Sequence, residues 1–373
     1  MANYSELGSG GISRYHTTND YLEMAILSTI FLIGFPVNMY AFKRLLEIHY
    51  SGSKSKFNLL KLHLNISDIM ILLIYCVSEV AWLASFWWLA DNIACKLVKF
   101  LQVLSFYISS NVIVCIAVDR AVSVYRLRRL RSSHKAYSHA CIWLMMAWGI
   151  AIACALPQAY VWQLDEYMPG HYQCITVWYS RRYAVCIQDN LTGNACIPVE
   201  VDTVTETAYN AFHLLSVFWI PAIITVVLYI FIIVTLVKRE TYTRCTLRSN
   251  KLELNSTLVA TEAEPSDAWS AATASRFCTL ETVDTQTATT TSFFRPSPRP
   301  PSWQRHFKSR TLRQTIFLLT AYFACWLPYN LLSIWQLFSP ATFADSAVGL
   351  QYLETLIMLN AVINPFVYKY TKH

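Results

Sequence analysis

The stretch from Cys95 to Tyr125, CKLVKFLQVLSFYISSNVIVCIAVDRAVSVY, restricts this chain more than any other. It is apolar almost throughout, with Ser109, Ser110 and Asn111 in its middle and Asp119-Arg120 towards its end. As a helix rising about 1.5 Å per residue, Cys95 to Arg120 runs roughly 37 Å. That is enough to cross a hydrocarbon core of about 30 Å. Lys99 and Gln102 stand three apart near the cysteine, on one helical face. One helix thus carries polar chemistry at both ends and at its centre.

The rest of the chain fits the same solvent. Only 14% of its 373 residues are charged, against about 25% in an ordinary soluble domain. A net charge of +7 would suggest nucleic acid in a soluble protein, but the apolar runs and the location of the charge argue against that partner. Seven runs are long enough to span, approximately 21–46, 57–86, 96–125, 139–163, 207–237, 311–338 and 349–370. Irregular backbone cannot face lipid, so the runs should be helices. The expected fold is an all-α membrane protein, a bundle of seven transmembrane helices. Residues 1–20 are polar and lack an apolar core, so no cleavable signal peptide is expected and insertion rests on the first run.

Lys and Arg set the orientation. With the N-terminus outside and the C-terminus inside, 25 of the 30 fall on inner segments, and only Arg14, Lys96, Lys99, Arg181 and Arg182 lie outside. The chain then divides into an outer segment 1–20, helices one to five with their loops over 21–238, a third cytoplasmic loop over 239–306, and helices six and seven over 307–373. The long loop is rich in Ser, Thr, Ala and Pro, as around Thr285–Thr291 and in FRPSPRPPS at 294–302. Such a composition reads as disordered. It serves as a linker or as a target of phosphorylation, and composition does not separate the two.

Four of the 11 cysteines, Cys95, Cys174, Cys186 and Cys196, fall on the outer side or its boundary. Extracellular cysteines usually pair, and four allow three pairings. Asn3 and Asn190 begin glycosylation patterns on the outer side. Asn65 begins another inside the second run, and Asn255 one in the inner loop; both should be silent.

Particular polar, aromatic and proline residues recur along the runs in a fixed order. They are Asn38 in the first, Leu64 and Asp68 in the second, and Cys95 with Asp119-Arg120 in the third. Trp148 with Pro157 follows in the fourth, and Pro221 with Tyr229 in the fifth. The sixth has Cys325-Trp326-Leu327-Pro328, and the seventh Asn360 and Asn364-Pro365-Phe366-Val367-Tyr368. Together, over about 21–370, they resemble the rhodopsin-like (class A) G-protein-coupled receptors. The resemblance implies a multi-pass receptor of the plasma membrane, with a heterotrimeric G protein as partner and no enzymatic activity. It implies a switch made of Asp119, Arg120, Tyr229, Trp326, Pro328, Asn364, Pro365 and Tyr368. It further implies a sodium and water site at Asp68, Ser109, Asn360 and Asn364, the only cofactor expected. A mid-membrane carboxyl such as Asp68 is costly unless partnered. Prolines 221, 328 and 365 each remove a helix hydrogen bond and permit a kink. The disulfides expected are Cys95–Cys174 and Cys186–Cys196.

Some residues depart from the family pattern. Lys308, 18 residues before Trp326, is not an acid, so a lock between Arg120 and the sixth helix is missing and Asp119 should hold Arg120 alone. The expected resting state is therefore loose. Tyr322 stands where phenylalanine is usual, and Leu127 replaces a common proline. The chain ends five residues after Tyr368, so no full eighth helix is expected in it.

Ligand class narrows by absence. Met358 stands where an opsin has its lysine, and Gln102 where amine receptors have an aspartate. The stretches LPQAYVWQ, QCITVWY and CWLPYNLLSIW resemble the vasopressin/oxytocin receptors and their gonadotropin-releasing-hormone and adipokinetic-hormone relatives. Glu79 with Tyr209-Asn210 favours the latter branch. The implied ligand is an extracellular short peptide, the implied G protein the calcium-mobilising Gq type. The pocket would be lined by Glu79, Lys99, Gln102, Gln158, Tyr329, Asn330, Ser333 and Glu354. Glu79 could hold a His or Arg of the ligand. His213 reads as a packed or pocket-edge histidine. The alternatives are a class A receptor for a non-peptide ligand, or a heptahelical transporter or channel using Asp68 and Arg120 for an ion path. No obvious inverted repeat supports the transporter.

Overall fold

A computed structural model describes residues 16, 18–51, 55–126, 135–168, 170–188, 203–238, 302–339, 342–343 and 351–369. The first helix runs Thr18–Tyr50, the second Lys56–Ser85, the third Asn92–Arg126 and the fourth Lys135–Ala155. The fifth runs Thr203–Lys238, the sixth Ser302–Phe338 and the seventh Leu356–Lys369 after a 3-10 turn at Gln351–Thr355. Six helices are long and apolar enough to cross a membrane, and the seventh contributes a shorter apolar stretch, Leu353–Val367. The sixth helix begins inside the segment assigned from composition to the third loop; residues 239–301 lie outside the described ones. So do Asn3 and Asn190, Cys196 and the side chain of Cys186.

The third helix is the axis. It buries 72% of its most apolar window, against 22–28% for helices one, two, four and five. The others turn large apolar side chains outward, among them Leu32, Met145, Ile223 and Phe317. That inversion suits lipid. Hydrocarbon tails offer no hydrophobic drive between helices, so close packing and polar bonds must join them.

Both devices are present. Asn38 donates to Gly34 O and to Ala361 O, both at 2.9 Å, and accepts from Asn65 Nδ2 at 2.7 Å. Helices one, two and seven meet there, and Asn65 is fully buried. Trp148 Nε1 donates to His63 Nδ1 at 3.1 Å, tying the fourth helix to the second. Gly34 lets two neighbours approach: a Cβ there would lie 2.8 Å from Val362 Cγ2 and 3.0 Å from Leu72 Cδ2. The valine methyl is on a stiff side chain. Gly34→Ala should therefore destabilise by about 1–3 kcal/mol through overpacking, read as a lower thermal midpoint in detergent. An unchanged midpoint would refute the close approach.

Three local features have no periodic signal in the sequence. The second helix passes through a π-helical segment at Ile71–Cys76 and the fifth through one at Leu215–Trp219. The strand Trp162–Met168 follows the short helix Gln158–Val161 and pairs antiparallel with His171–Thr176, placing Leu164 opposite Cys174. Gly170 turns this hairpin at φ 77°, a conformation open to glycine.

Candidate functional site

At the Cys95 end of the bundle the hairpin is fastened down. Cys95 and Cys174 form a disulfide. Trp88 N donates to Tyr172 O at 3.0 Å, and Asn92 Oδ1 accepts from Leu164 N at 2.9 Å. Gln173 accepts from Trp82 Nε1 at 2.9 Å and donates to Phe86 O at 2.7 Å. The hairpin therefore rests on the ends of both the second and third helices.

Beneath it lies a closed polar group. Lys99 Nζ is 2.7 Å from Glu79 Oε1. Gln102 Nε2 donates to the same oxygen at 2.8 Å and to Ser78 Oγ at 2.8 Å. The π-helical segment ends three residues before Glu79, and such a segment re-aims the turn that follows it. The Lys99 ammonium also lies 4.4 Å from the Trp82 ring and 4.8 Å from that of Trp162, the first hairpin residue. Lys99 is only 7% exposed. It is a caged cation, not a snorkelling one. Trp82, three residues after Glu79 on the same helical face, was readable as part of the group by spacing; Trp162, arriving from a loop, was not.

The structure thus brings together three of the eight expected pocket residues. The other five do not hydrogen-bond to these three among the described residues. Gln158 is buried after Pro157, and its Oε1 lacks a partner among the described residues. Asn330 donates to Trp326 O at 2.9 Å while its Oδ1 is unpaired among the described residues. Tyr329 and Ser333 lie on the same helix, and Glu354 is half-buried on the 3-10 turn. His213 joins a small network that spacing did not reveal: Tyr107 Oη is 3.2 Å from its Nδ1 and 2.9 Å from Ser216 Oγ.

Deeper in the bundle, Asn364 Nδ2 donates to both Asp68 oxygens, at 3.0 and 3.1 Å. Ser109 Oγ, Asn360 Oδ1 and Asn364 Oδ1 are buried without a partner among the described residues. Trp326 is ringed by Phe106, Tyr322 and Phe218, with centroids 5.6, 5.6 and 6.1 Å away. Tyr322, the departure from phenylalanine, is accounted for by its hydroxyl. It donates to Ser110 Oγ at 3.1 Å and approaches Val217 O at 3.4 Å. Val217 is four residues before Pro221, which has no N–H to offer that carbonyl.

At the opposite end Arg120 Nη2 contacts Asp119 Oδ2. The expectation that Asp119 holds Arg120 alone needs correction. Lys56 Nζ lies 2.5 Å from Asp119 Oδ1, and the Arg120 guanidinium sits 4.5 Å from the Phe57 ring. Tyr229 is buried on the fifth helix and Pro328 and Pro365 lie inside theirs; the side chains of Tyr368 and Lys308 are outside the described ones.

A seven-helix bundle in lipid, with a polar group under a bridged loop at one end and a paired Asp-Arg at the other, defines a heptahelical membrane receptor. The model of the 7 transmembrane receptor (rhodopsin family) matches residues 45–368, and the chain belongs to that family. It is 30% identical to "G-protein coupled receptor daf-38" of Caenorhabditis elegans over 94% of this chain and 88% of that one. It is 29% identical to a gonadotropin-releasing hormone receptor of Octopus vulgaris, over 58% of this chain and 47% of that one. With the human vasopressin V1b receptor it shares 21% identity over 93% and 72% of the two chains. The family is one of multi-pass plasma-membrane receptors, not of enzymes.

Proposed function

We propose that the chain is a cell-surface receptor for a short peptide hormone, with its Cys95–Cys174 end outside, that activates a heterotrimeric G protein of the Gq class. The observation that carries this reading is the buried Glu79–Lys99–Gln102 group under the hairpin. It holds one carboxylate and two sets of N–H donors in a dry site. A peptide's backbone amides and blocked ends can exchange into such hydrogen bonds, and a ligand cation can replace Lys99 on Glu79. The relatives named as receptors for gonadotropin-releasing hormone and vasopressin support the ligand class. Agonist binding shifts the population towards the state that also binds the G protein better.

Sodium fits the middle of the bundle. Asp68 supplies a carboxylate, and Ser109, Asn360 and Asn364 supply buried oxygens that lack partners among the described residues. All are hard donors suited to a small hard cation. These residues would hold the ion, which supplies a positive charge that steadies the resting arrangement.

The test is nucleotide exchange by purified receptor and G protein against a library of short amidated peptides. For any peptide that stimulates exchange, Glu79→Gln and Gln102→Ala should each weaken potency at matched receptor amounts. Arg120→Ala should stop exchange with peptide binding retained. Unchanged potency in both pocket variants would sink the pocket, and full exchange from the Arg120 variant would sink the coupling mechanism.

A further inference from the structure

The Asp119-Arg120 pair has a second anchor, and all of it comes from one turn of the second helix. The two oxygens of Asp119, a residue 1% exposed, are divided: Oδ2 faces Arg120 and Oδ1 faces Lys56. Lys56 Nζ also donates to Ser123 Oγ at 2.9 Å, and Ser123 in turn donates to Asp119 O at 2.7 Å. The lysine is thereby fixed to the third helix at two points. Next to it, Phe57 offers its ring to the Arg120 guanidinium at 4.5 Å and to Lys61 Nζ at 4.4 Å. The ring's quadrupole attracts both cations, more strongly the drier the site. Arg120 Nε is buried with no hydrogen-bond partner among the described residues. The described contacts of the arginine side chain are thus one carboxylate oxygen and one aromatic ring.

We propose that Lys56 and Phe57 are positioning residues that seat Arg120 on the second helix in the resting receptor. This assigns them the restraint that an acid at position 308 would otherwise supply. The consequence is a change of mechanics. A restraint between the third and sixth helices resists movement of the sixth directly. A seat on the second helix acts on Arg120 itself and withholds it from the G protein, while the sixth helix keeps its own tie to the seventh, Gln314 Nε2 to Val367 O at 3.5 Å. Only release of the arginine from Phe57 and Asp119 makes it available. The idea rests on the G-protein reading above for its consequence, but not for the contact itself.

Two measurements test it separately on the full chain. The first is a double-mutant cycle on the thermal midpoint in detergent, with Phe57→Leu, Arg120→Gln and the pair. Leucine keeps an apolar side chain and removes the ring face. The two single losses should sum to clearly more than the loss in the double variant. The second is agonist-free nucleotide exchange across an aromatic series. Indole attracts a cation best, so exchange should fall in the order Leu, Phe, Trp at position 57, with about a three- to tenfold rise for Phe57→Leu. Lys56→Gln should also raise it, and Lys56→Arg should return it towards the parent level. Additive midpoints, or exchange that ignores the aromatic order, would overturn the proposal. If no variant and no parent receptor drives exchange, the G-protein reading fails, and the melting cycle still decides whether the seat exists.

Discussion

Replacing Cys174 with serine is expected to cost about 4.5 kcal/mol, the chain-entropy value for a bridge closing a loop of this size. Its two cysteines are 79 residues apart. The loop contains the whole fourth helix, so cutting the bridge frees a long segment in the unfolded ensemble. The effect does not stop at entropy. The hairpin brings Trp162 to the Lys99 ammonium and Gln173 to Trp82. Without the bridge, Tyr172 O and Asn92 are left to hold the strands over the third helix. Cys95→Ser, Cys174→Ser and the double variant should all melt at the same temperature, roughly 10 °C or more below the parent. Any ligand bound beneath the hairpin should be lost with them. A double variant that melts well below both singles would mean that the two sulfurs act independently, and the argument would fail.

The parts of this molecule that were legible in the sequence are those that repeat or that sit at a helix's polar interruptions. Seven apolar runs locate seven helices because length and hydropathy are what lipid demands. Asp68 and Asn364 lie almost 300 residues apart, yet a mid-membrane acid requires a partner, and the amide supplies it. What was not legible depends on phase. A π-helical segment leaves composition and periodicity nearly unchanged but rotates everything after it, so the approach of Glu79 to Lys99 could be suspected and not placed. The hairpin begins within the tail of the fourth apolar run, where Trp162 and Leu164 read equally well as helix or strand. Lys56 and Phe57 were invisible for another reason. The sequence drew attention to the missing acid at 308, and nothing local says that a lysine at the start of the second helix reaches Asp119. Tyr322 was noticed only as an oddity; its hydroxyl acquires meaning once Ser110 and the Val217 carbonyl face it.

The Glu79–Lys99 pair separates stability from recognition, and Glu79→Leu should have an effect comparable to loss of the bridge. The substitution removes the only carboxylate paired, among the described residues, with a lysine that is 7% exposed. Trp82 and Trp162 remain beside the ammonium, but ring faces replace only part of a lost ion pair. Leaving one buried charge without its partner costs about 3–5 kcal/mol. Exchanging both partners for apolar residues of similar size is often close to neutral. Glu79→Leu with Lys99→Met should therefore recover most of the melting temperature, since no charge is left to bury and Gln102 keeps its bond to Ser78 Oγ. Peptide response should not return with it, because the carboxylate proposed to receive a ligand cation is gone in both variants. Thermal midpoints and exchange assays on the same preparations measure the two effects side by side. If the double variant melts as low as the sum of its singles, the pair is not coupled and the caged lysine is held by the indoles alone. If the double variant melts normally and still responds to agonist at the parent's potency, the pair is purely structural and the ligand binds elsewhere.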